Sequence, residues 1–129
     1  MKKISTLLFL LLTANISYAF DGKSYFKQNC ASCHSIGEGD KIGPDLAEVS
    51  KRRNIDWLVK FVNYPEGMIF GDEEEEGYEK ADPIAKKIYE LYKPTIMPEQ
   101  ELSKDEMKQV LNYIDSLGKK AKGKITTME

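Results

Sequence analysis

The chain has 129 residues, 41% of them hydrophobic, with 19 Lys and Arg against 21 Asp and Glu and a formal charge of −2. That length suits one domain with a core of its own. A balance this close to neutral, and acidic rather than basic, lacks the positive surface that nucleic-acid binding needs.

Lys2 and Lys3 precede an apolar run from Ile4 to Leu12, broken only by Ser5 and Thr6, and Ser17-Tyr18-Ala19 supplies the small residues a signal peptidase reads. This pattern is a secretory signal peptide, residues 1–19, cleaved after Ala19. Its uninterrupted stretch, Leu7 to Leu12, is far short of the ~20 apolar residues that span a bilayer. The mature chain is therefore expected in the periplasm, with no membrane span. Cleavage removes two lysines and no acid, leaving 110 residues and a formal charge of −4.

The mature chain reads as helices joined by Gly- and Pro-rich loops. Asp21 is placed to cap a short helix running through Tyr25 and Phe26 toward Cys30. Gly37, Gly39, Gly43 and Pro44 mark Ser35 to Leu46 as loop. Asn54 is a cap for a second helix, with Ile55, Leu58, Val59 and Val62 at i, i+3, i+4, i+7. Trp57 and Phe61 widen that face, and Pro65 stops the helix. Asp82-Pro83 opens a third helix, with Ile84, Ile88, Leu91 and Tyr92 on one face and Pro94 beyond its end. Ser103 and Glu106 form a capping box for the last helix. Its apolar stripe is Met107, Val110, Leu111, Ile114 and Leu117, and Gly118 is its C′ residue. No strand pattern or internal repeat interrupts this order, so the fold class is all-α. Two charged stretches, Asp72 to Glu76 and the basic tail of residues 119–129, read as a solvated loop and a frayed end, with docking patches for a partner of opposite charge as the alternative.

Cys30-Ala31-Ser32-Cys33-His34 uses the only two cysteines and the only histidine of the chain. Two thiols at this spacing suit thioethers to the two vinyl groups of one haem, with the adjacent imidazole on the iron, and Cys-x-x-Cys-His is the attachment signature of c-type haem. The competing readings are weaker. A structural zinc site usually has four Cys or His ligands, and here three exist. A thioredoxin-like pair is expected near a βαβ pattern, which is missing. A Cys30–Cys33 disulfide leaves His34 without a role. His34 fills one axial position, and with no second histidine methionine is the natural sixth ligand. Met107 lies on a core stripe and Met128 in the tail. Met97 stands between Pro94 and Pro98, a stiffened loop that suits an aimed ligand. Met68, after Gly67 in a loop, and an iron left open are the alternatives.

With these landmarks the chain resembles the class I c-type cytochromes, small monohaem electron carriers. The resemblance rests on Gly22-Lys23-Ser24-Tyr25-Phe26 ahead of Cys30, on Gly43-Pro44-Asp45-Leu46, and on Met97-Pro98 followed by the helix carrying Tyr113-Ile114 and Leu117. It implies helices wrapped around one covalently bound haem c in a domain of residues 20–118, with the first and last helices packed together. It also implies a Pro44 carbonyl that accepts the Nδ1 proton of His34, with Cys30 and Cys33 binding the cofactor and His34 and Met97 the iron. Residues 65–93 depart from a minimal member of that family. Trp57 and Arg52 or Arg53 are candidate propionate contacts, against a packed indole and solvated arginines. The implied function is single-electron transfer between larger redox protein partners, not enzymatic catalysis. A haem subunit of a larger oxidoreductase and an open-site haem enzyme or sensor are the alternatives.

Overall fold

The computed structural model describes residues 18–128; apart from positions 18 and 19, the expected signal peptide lies outside the described residues. Among the described residues every regular element is helical. The Asp21 carboxylate accepts from Ser24 N at 3.0 Å and caps α1, Gly22–Tyr25. The chain continues as a π-helical stretch, Phe26–Cys30, in which Ala31 N donates to Phe26 O at 2.9 Å. One wide turn thus leads from the first helix into the cysteine motif.

A single turn, α2 (Val49–Arg52), follows Glu48 at φ 59°; no sequence period announces so short an element. Asn54 caps α3 (Ile55–Asn63) by accepting from Trp57 N at 2.8 Å. Pro65 ends α3 as expected, but it also opens α4 (Pro65–Phe70). In the first turn of a helix the missing N–H of proline leaves no bond unmade. Asp82 accepts from Ile84 N and Ala85 N, both at 2.9 Å, and caps α5 (Pro83–Tyr92). The capping box of Ser103 and Glu106 starts α6 (Lys104–Ser116), and Gly118 beyond its end stands at φ 59°. Such a cap is worth about 1 kcal/mol.

The first and last helices pack closely enough that a Cβ on Gly22 would run into the backbone of Gln109, and the rings of Phe26 and Tyr113 lie 5.6 Å apart. Met107, Val110, Leu111 and Ile114 of α6 are buried together with Phe26, Ile36 and Leu58 in the main core. Each such side chain stabilises the fold by roughly 1.5–3 kcal/mol relative to exposure. A second cluster of Met68, Ile69 and Ala85 holds α4 against α5, with Trp57, Phe61 and Tyr89 packed on it.

Three expectations need correction. Leu117 does not continue the buried stripe of α6: it is the C-cap of that helix and is 41% exposed. Met68 is not in a loop: it belongs to α4 and is 5% exposed. Residues 119–128 are not frayed. They fold back over loop 35–48 and form a short 3₁₀ turn, Lys124–Thr127, that buries Ile125. The lysines project outward while the backbone N–H groups of Ala121, Lys122 and Lys124 are taken up by carboxylates of that loop. The acidic run is a surface turn, but its first member is structural. Asp72 accepts from Tyr64 Oη at 2.8 Å and from Glu74 N at 3.0 Å, while Glu73 to Glu76 are exposed.

Candidate functional site

A largely apolar cavity opens between the end of the π-helical stretch, loop 33–47, α3, α5, loop 93–102 and α6. Cys30, Cys33, His34 and Met97 all border it, so the structure brings the four candidate residues to one space. Met107 contributes to the wall from the core side of α6. Met68 is packed away in the second cluster, and Met128 stands outside beside Pro83 and Lys86.

The imidazole is held from behind. His34 Nδ1 donates to the Pro44 carbonyl at 2.8 Å, which fixes the tautomer and leaves Nε2 as the free donor. Burial pushes the His34 pKa down, opposed by the Pro44 bond and aided by the Lys41 charge, so the ring is neutral at neutral pH. Gly43 makes the approach possible: a Cβ there would stand 2.6 Å from His34 Cε1. The two arms of the loop are joined by Gly43 N to Cys33 O at 2.8 Å and Leu46 N to Ser35 O at 2.9 Å.

Asp45, wholly buried, is the hub of this loop. Its carboxylate accepts from Gly37 N, Gly39 N and Ala47 N at 2.7–2.9 Å and from Lys122 N at 3.2 Å. Burial pushes its pKa up, but these four backbone donors together outweigh it and the net shift is downward. The carboxylate therefore stays charged and the loop beside Pro44 stays fixed.

Met97 sits on a loop pinned at several points. The Asn63 side chain accepts from Leu102 N at 2.9 Å and donates to Leu102 O at 2.8 Å. Gln100 N donates to Val62 O at 2.8 Å, and Tyr25 Oη to Gln100 Oε1 at 2.6 Å. The prolines anticipated from the sequence are thus supplemented by bonds to α3 and α1.

Both candidate arginines and Trp57 border the cavity. Arg52 donates to the backbone oxygens of Ala47 and Asp45. Arg53 lies over the indole of Trp57, 5.7 Å from its centroid. Two buried polar atoms of cavity residues have no hydrogen-bond partner: Arg53 Nε and Trp57 Nε1. An unmet buried donor costs about 1–3 kcal/mol, so two of them on one cavity suit a ligand bearing acceptor oxygens. Burial and the neighbouring Asp40 charge raise the pKa of Tyr92, keeping it a donor. The Cys30 thiol is pushed up to about 11 by burial and by Cys33, the reverse of the activated thiolate that a redox pair uses. Among the described residues no three His, Cys, Asp or Glu side chains converge as a metal-binding group.

The sequence places Asp45 in the Gly-Pro loop and Tyr92 on a helix face but assigns neither a role at the site, nor any to Asn63, Tyr89 or Ile125. Asn63, Tyr92 and Ile125 act through contacts with distant parts of the chain.

A family model described as cytochrome c matches residues 19–118. The chain belongs to the cytochrome c family. Its fold is similar to that of a cytochrome c from Rhodothermus marinus, with a TM-score of 0.58 at 27% identity over 74% of this chain and 72% of that one. The cytochrome c domain of the pp3183 protein from Pseudomonas putida matches with a TM-score of 0.54 at 28% identity, over 74% and 86% of the two chains. An engineered Rhodothermus marinus cytochrome c, Rma TDE, matches with a TM-score of 0.57 at 25% identity, over 74% and 73%. No curated protein sequence matches the chain. This cytochrome is therefore an all-helical, haem-binding electron-transfer protein of the class I type. No helix among the described residues is long and apolar enough to cross a membrane.

Proposed function

We propose that this cytochrome is an exported monohaem electron carrier, with haem c attached through Cys30 and Cys33 and its iron held by His34 and Met97. The observation that carries the proposal is the cavity. It gathers both thiols, an imidazole with Nδ1 already engaged and a thioether on a pinned loop within one apolar enclosure. The two unpartnered donors, Arg53 Nε and Trp57 Nε1, suit the carboxylates of a porphyrin. The residues present fit the group.

Bound there, haem c supplies a one-electron Fe(II)/Fe(III) couple. The chain's part would be to hold the His34 and Met97 donors in place. Pro44 keeps the His34 ring oriented, and Asn63, Gln100 and Tyr25 keep the Met97 loop from shifting. The walls of Leu58, Val110, Leu111 and Ile114 exclude water. Export follows from the signal peptide read in residues 1–19, and the partners are larger redox proteins, one donating and one accepting. The role is a carrier's rather than an enzyme's, because His34 and Met97 would together leave the iron no open position for a substrate.

Denaturing electrophoresis of protein from a cytochrome-maturing host tests the attachment. The pigment is expected to migrate with the polypeptide and to be absent from a variant with Cys30 and Cys33 both replaced by Ala. Pigment stripped from the wild type by denaturation would overturn it.

A further inference from the structure

The C-terminal segment that follows α6 is built into the cavity wall. Lys119 Nζ meets Glu38 at 2.5 Å. Beyond it, Ala121 N donates to Glu48 Oε2 at 3.3 Å, Lys122 N to Asp45 Oδ2 at 3.2 Å and Lys124 N to Asp40 Oδ2 at 2.9 Å. Three backbone donors are thus taken by three carboxylates of one loop. Such charge-assisted bonds are roughly twice as strong as neutral ones. On its other side the segment reaches α5: Lys124 Nζ donates to Leu91 O at 3.3 Å and lies over the Tyr92 ring, 5.4 Å from its centroid. Between these two anchorages Ile125 turns inward, is 5% exposed, and borders the same cavity as His34 and Met97.

We propose that residues 119–128 are a strap, latched by Asp40, Asp45 and Glu48, whose Ile125 seals one side of the haem cavity and thereby sets the reduction potential. The proposal rests on the haem reading of the cavity. Ferric haem carries one more positive charge than ferrous haem, so excluding water from its surroundings disfavours the ferric state and raises the potential. Ile125 is a positioning residue in this account: it acts on solvent access and does not touch the iron. Asp45 ties the two ends of the device together. Its carboxylate holds Lys122 of the strap and also Gly37, Gly39 and Ala47 of the loop that presents Pro44 to His34.

The test is the midpoint potential of the holoprotein, wild type against Ile125→Ser and Ile125→Val, with amide hydrogen exchange read at Lys122 and Lys124. Ile125→Ser is expected to shift the oxidation equilibrium toward ferric by about threefold or more. Ile125→Val, which keeps an apolar plug, should stay close to wild type. The amides of Lys122 and Lys124 should be protected in the wild type and exchange faster in Ile125→Ser. Should the serine variant fail to accumulate as holoprotein, a chain ended after Gly118 is read in its place, with the same lowered potential expected. An unchanged potential in the variant carrying the test, even with a lower melting temperature, would overturn the strap's role while leaving the carrier reading intact. A wild-type protein without covalent haem would bring down the carrier reading, and this proposal with it.

Discussion

Gly43→Ala is the most direct structural test of how His34 is held. The added Cβ would lie 2.6 Å from Cε1 and 3.0 Å from Nδ1 of the imidazole. The ring must move, and with it the 2.8 Å bond from Nδ1 to Pro44. Losing that bond costs about 0.5–1.5 kcal/mol, and overpacking a filled site costs about 1–3 kcal/mol more, for a loss of about 1.5–4.5 kcal/mol. In a domain of this size each kcal/mol lowers the melting temperature by roughly 4–8 °C, so a fall of about 6 °C or more is expected in thermal unfolding of the holoprotein followed by far-UV circular dichroism. Gly39→Ala is the control. Gly39 stands at φ 93° with nothing within 4 Å of an added Cβ, so only backbone strain of about 1–2 kcal/mol applies, and the His34–Pro44 bond should survive. A Gly43→Ala protein that melts with the wild type would refute the argument that this glycine makes room for the histidine.

Asn63→Ala removes both bonds to the Leu102 backbone; it should destabilise the protein by about 1–3 kcal/mol in urea unfolding, and by loosening the Met97 loop should speed binding of external imidazole to the ferric protein. Asp45 has a lowered pKa, so its contribution is complete above the unfolded value near 3.8 and is lost as pH falls through the folded value. Asp45→Asn should therefore be less stable at pH 7 and show a shallower acid-side decline than the wild type in unfolding measured from pH 7 to pH 2. In the acidic run, Asp72→Ala should cost about 1 kcal/mol, because Tyr64 Oη and Glu74 N lose their acceptor. Replacing Glu73 to Glu76 with Gln should change stability by no more than about 0.5 kcal/mol.

The features legible in the sequence are those encoded locally. Cys30, Cys33 and His34 lie within five residues, and the caps at Asp21, Asn54, Asp82 and Ser103 act within the next turn of chain. Helical periodicity likewise revealed the buried face of α6 from Met107 to Ile114, but it overran the helix end, where Leu117 is exposed. What escaped depends on partners far along the chain. Asn63 meets Leu102 across 39 residues, and Lys122 meets Asp45 across 77. A charged Asp after Gly-Pro gives no hint that four backbone donors will surround it in the interior. The tail reads as polar because its lysines dominate the composition, yet its backbone and one isoleucine do the packing. Gly67 and Met68 suggest a loop because glycine weakens a helix, but burial against Ala85 holds α4 in place regardless.

The central claim is that the chain supplies both axial donors, His34 from the attachment motif and Met97 from the pinned loop. It is tested most directly by the visible spectrum of the ferric protein, with Met97→Ala and Met68→Ala alongside. A methionine thioether on ferric haem gives a weak charge-transfer band at the red end of the visible range, as the family resemblance implies. The wild type and Met68→Ala are expected to show that band, and Met97→Ala is expected to lose it, to bind cyanide more readily and to have a lower potential. A band that survives in Met97→Ala but disappears in Met68→Ala, or one missing from the wild type, would contradict the account.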